Sequence, residues 1–585
     1  MEGTEVQERP DEALQCADVL IIGAGLAGVM AALTAREAGA DVLLVCSGEL
    51  GTGGDSAIAS GGLAVPANTA AGDSPEIHYR DTLASGAGLC TPEVVRRVSS
   101  RAVALIDELS QWGAEFARHD DGRFAFQPIP GHSYPRSVRC SGGGTSALMR
   151  PLGARLAQVG VRVRENAVVL NLLTVSEGEG PDRVVGAAVV DERDGSRTTA
   201  LAASTVLATG GLGQLFLHTS NNPDIYGSGY ALALQAGCSV ADLEFVQFTP
   251  TALVYPEFAA GMSPGGALMA QPGVYLRNSL GERFMERYDP VNRECTTRDV
   301  LSRAIFHEVS NGRGTNRDGV HLDLSGTTRD AIADISGRFL RAMDAGGFDP
   351  FSNMVEVAPE AHFCMGGVPV DDFGQSELPG LFVAGEASAG MHGANRLNSN
   401  ALTEAAVMGE AAGDAAADRA ARVDIPKADE IAQVRPRRED IGPAKEPGFD
   451  PVDVAAQSRQ LTAGIRQVIQ ECAGVVRDAD KLALGRKSLQ GIRAEAADLE
   501  RGPWQSRLNG VAISQMCLVG EAMILSAESR CESRGSHFRN DHPETSTDHP
   551  DHNVVRLAET LSAVRVTGGE LATWVRDQLS AQGAS

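Results

Sequence analysis

The sequence predicts an α/β fold: a Rossmann-like sheet with an α+β domain inserted into it and a helical domain after it. Three observations predict this. A glycine-rich turn, Gly23-Ala24-Gly25-Leu26-Ala27-Gly28, stands between a short apolar run and an Ala-rich helical stretch. Two more apolar runs end in glycine far downstream, at Gly210-Gly211 and at Gly385. Between 451 and about 535 apolar residues recur at helical spacing, as at Leu461, Ile465, Val468 and Ile469.

Taken in order, residues 1–17 read as a polar leader. Ala17-Asp18-Val19-Leu20-Ile21-Ile22 has the continuous apolar pattern of a buried parallel strand. A helix follows to about Ala38, and Val42-Leu43-Leu44-Val45 is the next strand. This strand–turn–helix–strand context is what the glycine pattern requires. Gly23 permits the tight turn, Gly25 lets backbone approach a pyrophosphate, and Gly28 lets the helix pack on the strand. The helix N-terminus then presents free N–H groups to the phosphates. In an NAD-binding unit the second strand ends in a carboxylate that grips the ribose. Here it ends in Val45-Cys46-Ser47, and Ser47 offers only a hydroxyl.

The stretch from Gly51 to Gly62 is too rich in glycine for a regular element and is predicted to be a loop. Thr205-Val206-Leu207-Ala208 is a strand ending in Thr209-Gly210-Gly211. Gly380-Leu381-Phe382-Val383-Ala384 is another, ending in Gly385-Glu386 and leading to a helix from about Leu402. Three such junctions predict one site at the strand ends of a single sheet. The nucleotide-binding domain is therefore drawn over 18–240 and 352–415, with the inserted domain at 241–351. Residues 416–450, with Pro426, Pro436, Pro443 and Pro447, read as a linker. Residues 451–535 form the helical domain and 536–585 a polar tail. His537, His542, His549 and His552 lie there among Asp, Asn, Ser and Pro, a pattern read as solvated tail rather than metal site.

The formal net charge of −25 over 585 residues argues against nucleic acid and against an anionic membrane surface. None of the ten cysteines forms a C-x-x-C pair, so no zinc or iron–sulfur centre is expected, and the thiols are expected reduced. Val19 to Leu33 is too short and too rich in glycine to span a bilayer. These features predict a soluble, cytoplasmic protein.

The segments GAGLAG (23–28), SAIASGG (56–62), GHSYPR (131–136), ATGG (208–211), DLEFVQFTPT (242–251), TTRDVLSRAI (296–305), HFCMGG (362–367), GLFVAGE (380–386), GANRLNSNAL (393–402) and ESRGSHFRND (532–541) stand in an order and spacing that cover nearly the whole chain. With them the chain resembles the flavoprotein subunits of succinate dehydrogenase and fumarate reductase, and L-aspartate oxidase. The resemblance implies an FAD-binding α/β domain, a capping domain that closes over the flavin, and a C-terminal helical domain. It implies FAD rather than NAD. Gly23, Gly25 and Gly28 would hold the pyrophosphate, and Gly61 and Gly62 would bring backbone against the isoalloxazine. Glu386 would bind ribitol or ribose hydroxyls, and Leu402 would lie beside the ring. Ser47, Ser56, Val168 and Gly210 would complete the cofactor site. Membrane-bound relatives attach FAD through a His before the Gly-Gly. The aligned residue here is Asp55, so noncovalent FAD is expected, which argues against a respiratory-complex subunit.

On the substrate side, hydride transfer needs a substrate held close to the ring, and Arg holds a carboxylate with a planar fork. The resemblance implies that Arg396 clamps a carboxylate, with His362 as a second donor and Arg298 across the reacting bond. From the residues alone, Arg298 would equally pair with its neighbour Asp299. Four further positions would line the substrate pocket: Thr249, Ile129, Ala267 and His132. Three of these regions depart from the family. Thr249 replaces the His of Gln-Phe-His-Pro-Thr. Gly266, Ala267 and Ala270 replace the Thr, Glu and Arg of the capping-domain motif, whose Glu and Arg relay the proton in fumarate reductases. Ile129 replaces a Glu of aspartate oxidases.

One carboxylate-binding end is thus expected intact and the far end altered. The expected function is an L-aspartate-oxidase-like enzyme that removes hydride from a small amino or carboxylic acid, with oxygen, fumarate or another acceptor. The alternatives are a soluble fumarate-reductase or succinate-dehydrogenase type acting on a C–C bond, and a catalytically altered flavin-binding subunit that acts by assembly.

Overall fold

The computed structural model describes residues 12–59, 61–129, 131–141, 144–176, 182–425, 451–548 and 550–583. Its largest sheet has seven strands. Arg162–Arg164, Val42–Val45, Glu12–Ile22 and Arg197–Leu207 pair in parallel in that order, and Leu381–Val383 also pairs parallel with Arg197–Leu207. Asp182–Asp191 and Ala167–Ser176 continue the sheet as an antiparallel meander. Successive side chains of a strand face opposite ways. Leu20 and Ile22 accordingly join one apolar core with Ile465 and Ile524 of the C-terminal helices. Val19 and Ile21 join another with the helices Leu26–Glu37 and Asn400–Ala420. Cover on both faces is why these strands read as unbroken apolar runs.

The inserted domain carries a four-stranded antiparallel sheet in the order Val246–Tyr255, Val355–Cys364, Val320–Asp323, Tyr275–Arg277. Its own core packs Leu253, Phe284, Ile305 and Phe339. The strand Val355–Cys364 belongs to this sheet, so a boundary at 351 cuts it off from its partners. The C-terminal helices are Pro451–Ala473, Ala479–Leu499 and Trp504–Ser529. The last is long and apolar enough to cross a membrane, but 83% of its most apolar window is buried, as in a core helix.

Four expectations need correction. The leader is not polar coil to residue 17: the strand starts at Glu12, because Arg197–Leu207 offers ladder partners from Arg197 onward. The Gly51–Gly62 stretch is not all loop, since Asp55–Ile58 form a helical turn and Gly62 opens a strand. The linker does not start at 416: the Ala-rich helix Asn400–Ala420 runs into it, as its alanines favour. The rest of that prediction, 426–450, lies outside the described residues. The tail after 536 is not solvated coil. Asp551–Leu557 and Leu561–Thr567 form a hairpin that pairs with Val240–Ala241, and the helix Leu571–Gly583 follows.

His537 and His552 are buried in that tail. His537 Nδ1 lies 2.7 Å from Arg477 Nη1, and His552 Nδ1 meets the Asp242 carboxylate. Arg530 sits among Asp242, Glu244 and Glu532, nearly all of it out of water. The predicted His549 lies outside the described residues. Of the ten cysteines, Cys16, Cys295 and Cys531 are exposed; all are free thiols.

Candidate active site

Three parallel strands end side by side. Ile22 and Val383 both register with Leu207. Gly23, Thr209-Gly210 and Gly385-Glu386 therefore emerge together, and they line one cavity of about 930 Å³. Glycine is required at the crowded points. A Cβ on Gly23, which has φ +107°, would lie 2.3 Å from the Ala208 carbonyl oxygen. One on Gly28 would lie 1.9 Å from the Gly23 carbonyl oxygen. Gly25 instead faces the cavity, at the start of the helix Leu26–Glu37. The Leu26 N–H donates to Ser56 Oγ at 3.0 Å, which ties the Gly51–Gly62 segment to the helix N-terminus.

Ser47, Ser56, Gly61, Gly62, Val168, Gly210, Glu386 and Leu402 all line this same cavity. Gly62 has a second reason to be glycine: a Cβ there would lie 2.5 Å from the Val138 carbonyl oxygen. Glu386 Oε1 accepts the Cys364 N–H at 2.8 Å, and burial, reinforced by nearby Asp55, holds its carboxyl well above the usual range. Asp55 itself is raised to about 7 by burial, against the Asn222 N–H that it accepts and with Asp224 pushing it further up. A helix N-terminus for phosphate, hydroxyl and carboxyl groups for sugar oxygens, and glycine backbone with Leu402 for a flat ring fit FAD. Those residues would hold it.

Another part of the cavity wall is built by the inserted domain and the loop before Asn400. Arg298 opens the helix Arg298–Glu308, and Arg396 lies in the loop. Both converge on one oxygen. Arg396 Nε and Nη2 donate to Gln247 Oε1 at 3.2 and 3.0 Å, and Arg298 Nη1 reaches it at 3.4 Å. Gln247 Nε2 in turn donates to the Arg396 carbonyl at 2.9 Å. Among the described residues neither arginine forms a salt bridge. Asp299, the alternative partner of Arg298 that the sequence leaves open, pairs with Arg303 at 3.1 Å. Burial draws Arg298 down, and it draws Arg396 down to about 9, helped by the like charge of Arg298. Arginine stays charged; the Glu386 and Glu404 carboxyls act on Arg396 in the opposite, upward direction.

His362 stands at a register break. Phe363 faces Gln247 while Ala361 faces Phe248, so His362 is left without an opposite residue. Such bulges re-aim a side chain. His362 lines the cavity, and its Nδ1 lies 2.8 Å from Ser220 Oγ. Burial, with Arg396 and Arg298 nearby, holds it well below its ordinary value and therefore neutral.

Arg298, His362, Arg396, Thr249 and Ile129 all line the cavity. His132 does not. Its Nε2 is bound to the Asn398 carbonyl at 2.9 Å and its Nδ1 lies 3.3 Å from Arg136, so it stands behind the wall. The side chain of Ala267 lies outside the described residues; from the stretch before it Gly261, Met262, Ser263 and Gly265 line the cavity. Sequence reasoning missed two residues. Gln247 was inside a recognised segment but had no role. Glu360 lies two residues before the recognised HFCMGG and is a buried acid on the cavity: 2% exposed, with Oε1 lacking a hydrogen-bond partner among the described residues. An acid inside the buried strand Val355–Cys364 was the signal that could have found it.

Residues 18–402 match the family model described as "FAD binding domain", and 462–571 match "Fumarate reductase flavoprotein C-term". A fumarate reductase (CoM/CoB) chain of Methanothermobacter marburgensis is 34% identical over 91% of this chain and 96% of its own. An L-aspartate oxidase of Caulobacter vibrioides is 37% identical over 90% of this chain and 93% of its own. Among solved structures, an E. coli quinol fumarate reductase FrdA mutant is similar with a TM-score of 0.84 at 26% identity, covering 95% of this chain and 97% of that one. Mycobacterium smegmatis Sdh1 has a TM-score of 0.83 at 30% identity, covering 95% of each chain.

Proposed function

Since the chain belongs to the family of FAD-dependent oxidoreductases that holds fumarate reductase flavoproteins and L-aspartate oxidases, we propose that it removes hydride from a small carboxylic or amino acid. One observation carries this reading: the buried guanidinium of Arg396 and the half-buried one of Arg298 share Gln247 Oε1 and form no salt bridge among the described residues. A desolvated cation without a partner is costly, and a bound carboxylate relieves that cost.

FAD, when bound noncovalently, supplies the two-electron acceptor. The residues of this chain do the rest. Arg396 grips the substrate carboxylate, with its guanidinium fixed 4.4 Å above the Phe363 ring. Neutral His362, oriented by Ser220, hydrogen-bonds the same end of the substrate. Arg298 places a second positive charge beside it. What supports oxidation over fumarate reduction is that Ala267 and Ala270 align with the Glu and Arg through which fumarate reductases relay a proton.

The test is anaerobic mixing of the yellow holoenzyme with a panel of small amino and carboxylic acids, read as bleaching of the flavin band. At least one acid should bleach it. Arg396→Ala should lower kcat/KM for that acid by about 100-fold, the scale of losing a buried charge partner. An unchanged kcat/KM would remove Arg396 from the site.

A further inference from the structure

Glu360 is the one buried acid of the substrate end that neither the cofactor nor the arginines account for. It lies on the strand Val355–Cys364, two residues before His362, and lines the same cavity as Arg298, His362 and Arg396. Directly across the ladder from it stands Thr249. Paired residues of an antiparallel sheet have Cβ atoms about 5 Å apart, so the two side chains share one patch of wall. Its Oε1 has no hydrogen-bond partner, and burial alone pushes its carboxyl well above the usual range. Arg338, also on the cavity, is an exposed side chain.

A buried acid is kept charged only by a cation or by several donors. The chain supplies none of these to Glu360 among the described residues. The arginine pair at the other pole is likewise without an anion. The cavity thus carries two cations and, on the same wall as Thr249, a buried acid that ionises only when a cation meets it. A molecule with a carboxylate at one end and a protonated amine at the other satisfies the cations and the acid. A dicarboxylate satisfies the arginine pole and places a second anion against Glu360.

Resting on the hydride-transfer reading above, we propose that Glu360 forms the second pole of the substrate pocket and selects a monocarboxylate bearing an ammonium group over a dicarboxylate. Thr249 beside it leaves room for the amine and contributes no competing charge.

The experiment uses the FAD-loaded protein and two acids of matched size. Succinate carries carboxylates at both ends, and β-alanine carries an ammonium in place of one of them. Binding is read from the shift in the flavin absorption band and from the rise in thermal midpoint, so turnover is not needed. Wild type should bind β-alanine at least about tenfold more tightly than succinate, the scale of one desolvated ion pair. Glu360→Gln should abolish that preference, and Glu360→Thr should reverse it. Neither substitution should lower the thermal midpoint of the ligand-free protein, since each removes an uncompensated buried acid.

Equal or tighter binding of succinate by wild type, or a preference unchanged in Glu360→Gln, would overturn the role of Glu360. The carboxylate-clamp reading would still stand in that case, because the acids still perturb the flavin. If neither acid shifts the flavin band or the thermal midpoint, both readings fall together.

Discussion

Gln247 Oε1 takes hydrogen bonds from Arg396 and Arg298 at once, so each guanidinium is placed partly by the other. A carboxamide suits that position because it accepts from both without neutralising either. Replacing it by the isosteric Gln247→Glu puts a carboxylate against both guanidinium groups, in competition with the substrate anion proposed above. The expected outcome is a KM raised about 10- to 100-fold with a smaller change in kcat, since a charged acceptor is worth about 1.5–3 kcal/mol. Steady-state kinetics against the bleaching acid checks it. Equal losses in kcat and kcat/KM would mean instead that Gln247 acts only in the transition state.

At this scale the sequence was legible where a residue sat inside a recognised pattern: Arg298, His362 and Arg396 all line the cavity. Gln247 and Glu360 were not legible in that way. Their roles come from the pairing of Val246–Tyr255 with Val355–Cys364, two strands far apart in the chain. No local spacing reports that register. His132 failed for the converse reason: its position in GHSYPR was recognised, but its partners Asn398 and Arg136 turn it behind the wall.

Among elements, the capping domain depends on Glu308 at the end of the helix Arg298–Glu308. Its carboxylate accepts from Asn278, Tyr288, Arg287 and Arg313. Burial would raise its pKa, but Arg313, Asn278, Tyr288 and Arg287 together hold it at about 2. A carboxylate depressed in the folded state binds fewer protons than in the unfolded chain. Its stabilisation is present above the ordinary value of 4.5 and is lost as pH falls from there toward about 2. Limited proteolysis within 246–364 should therefore speed up below about pH 4. Glu308→Gln should be cut faster at neutral pH and should lose most of that acid dependence. A wild-type digestion rate that is flat from pH 7 to about 3 would show that this network does not hold the domain.

Element type was legible wherever the pattern was long. The strands ending at Ile22, Leu207 and Val383 and the helices from Leu26 and Asn400 stand where the sequence places them. The C-terminal hairpin was not legible. Averaged over the segment after 536, composition is polar, yet Val554 and Val555 are fully buried and pair with Val240–Ala241. Arg530, Asp242 and Glu244 supply the buried polar contacts that fasten it.

For the whole molecule, the sheet, its two apolar faces and the cavity at its strand ends form a single FAD-binding unit, with Asp55 at the cavity wall. Asp55 offers no ring nitrogen to bond the flavin, so precipitation of the holoenzyme with acid should leave the yellow colour in the supernatant. Colour retained in the washed pellet would contradict noncovalent binding. The domain order was legible because each glycine junction marks a strand end. The domain edges were less so: strands such as Val355–Cys364 find their partners across the boundary that composition suggests.

The register of Ile22 and Val383 on the common strand residue Leu207 also constrains how the protein is made. The first of these strands leaves the ribosome long before the last. At about 5–20 residues per second the interval from Ile22 to Leu381 is roughly 20–70 s. Through that interval the nascent chain holds the first glycine turn without the strand that completes its binding site. A chain arrested before Leu381 has no Gly385-Glu386 to offer the cofactor. Flavin capture is thus a late event in biosynthesis, and the capping domain, encoded in between, is already made when the pocket it covers is finished.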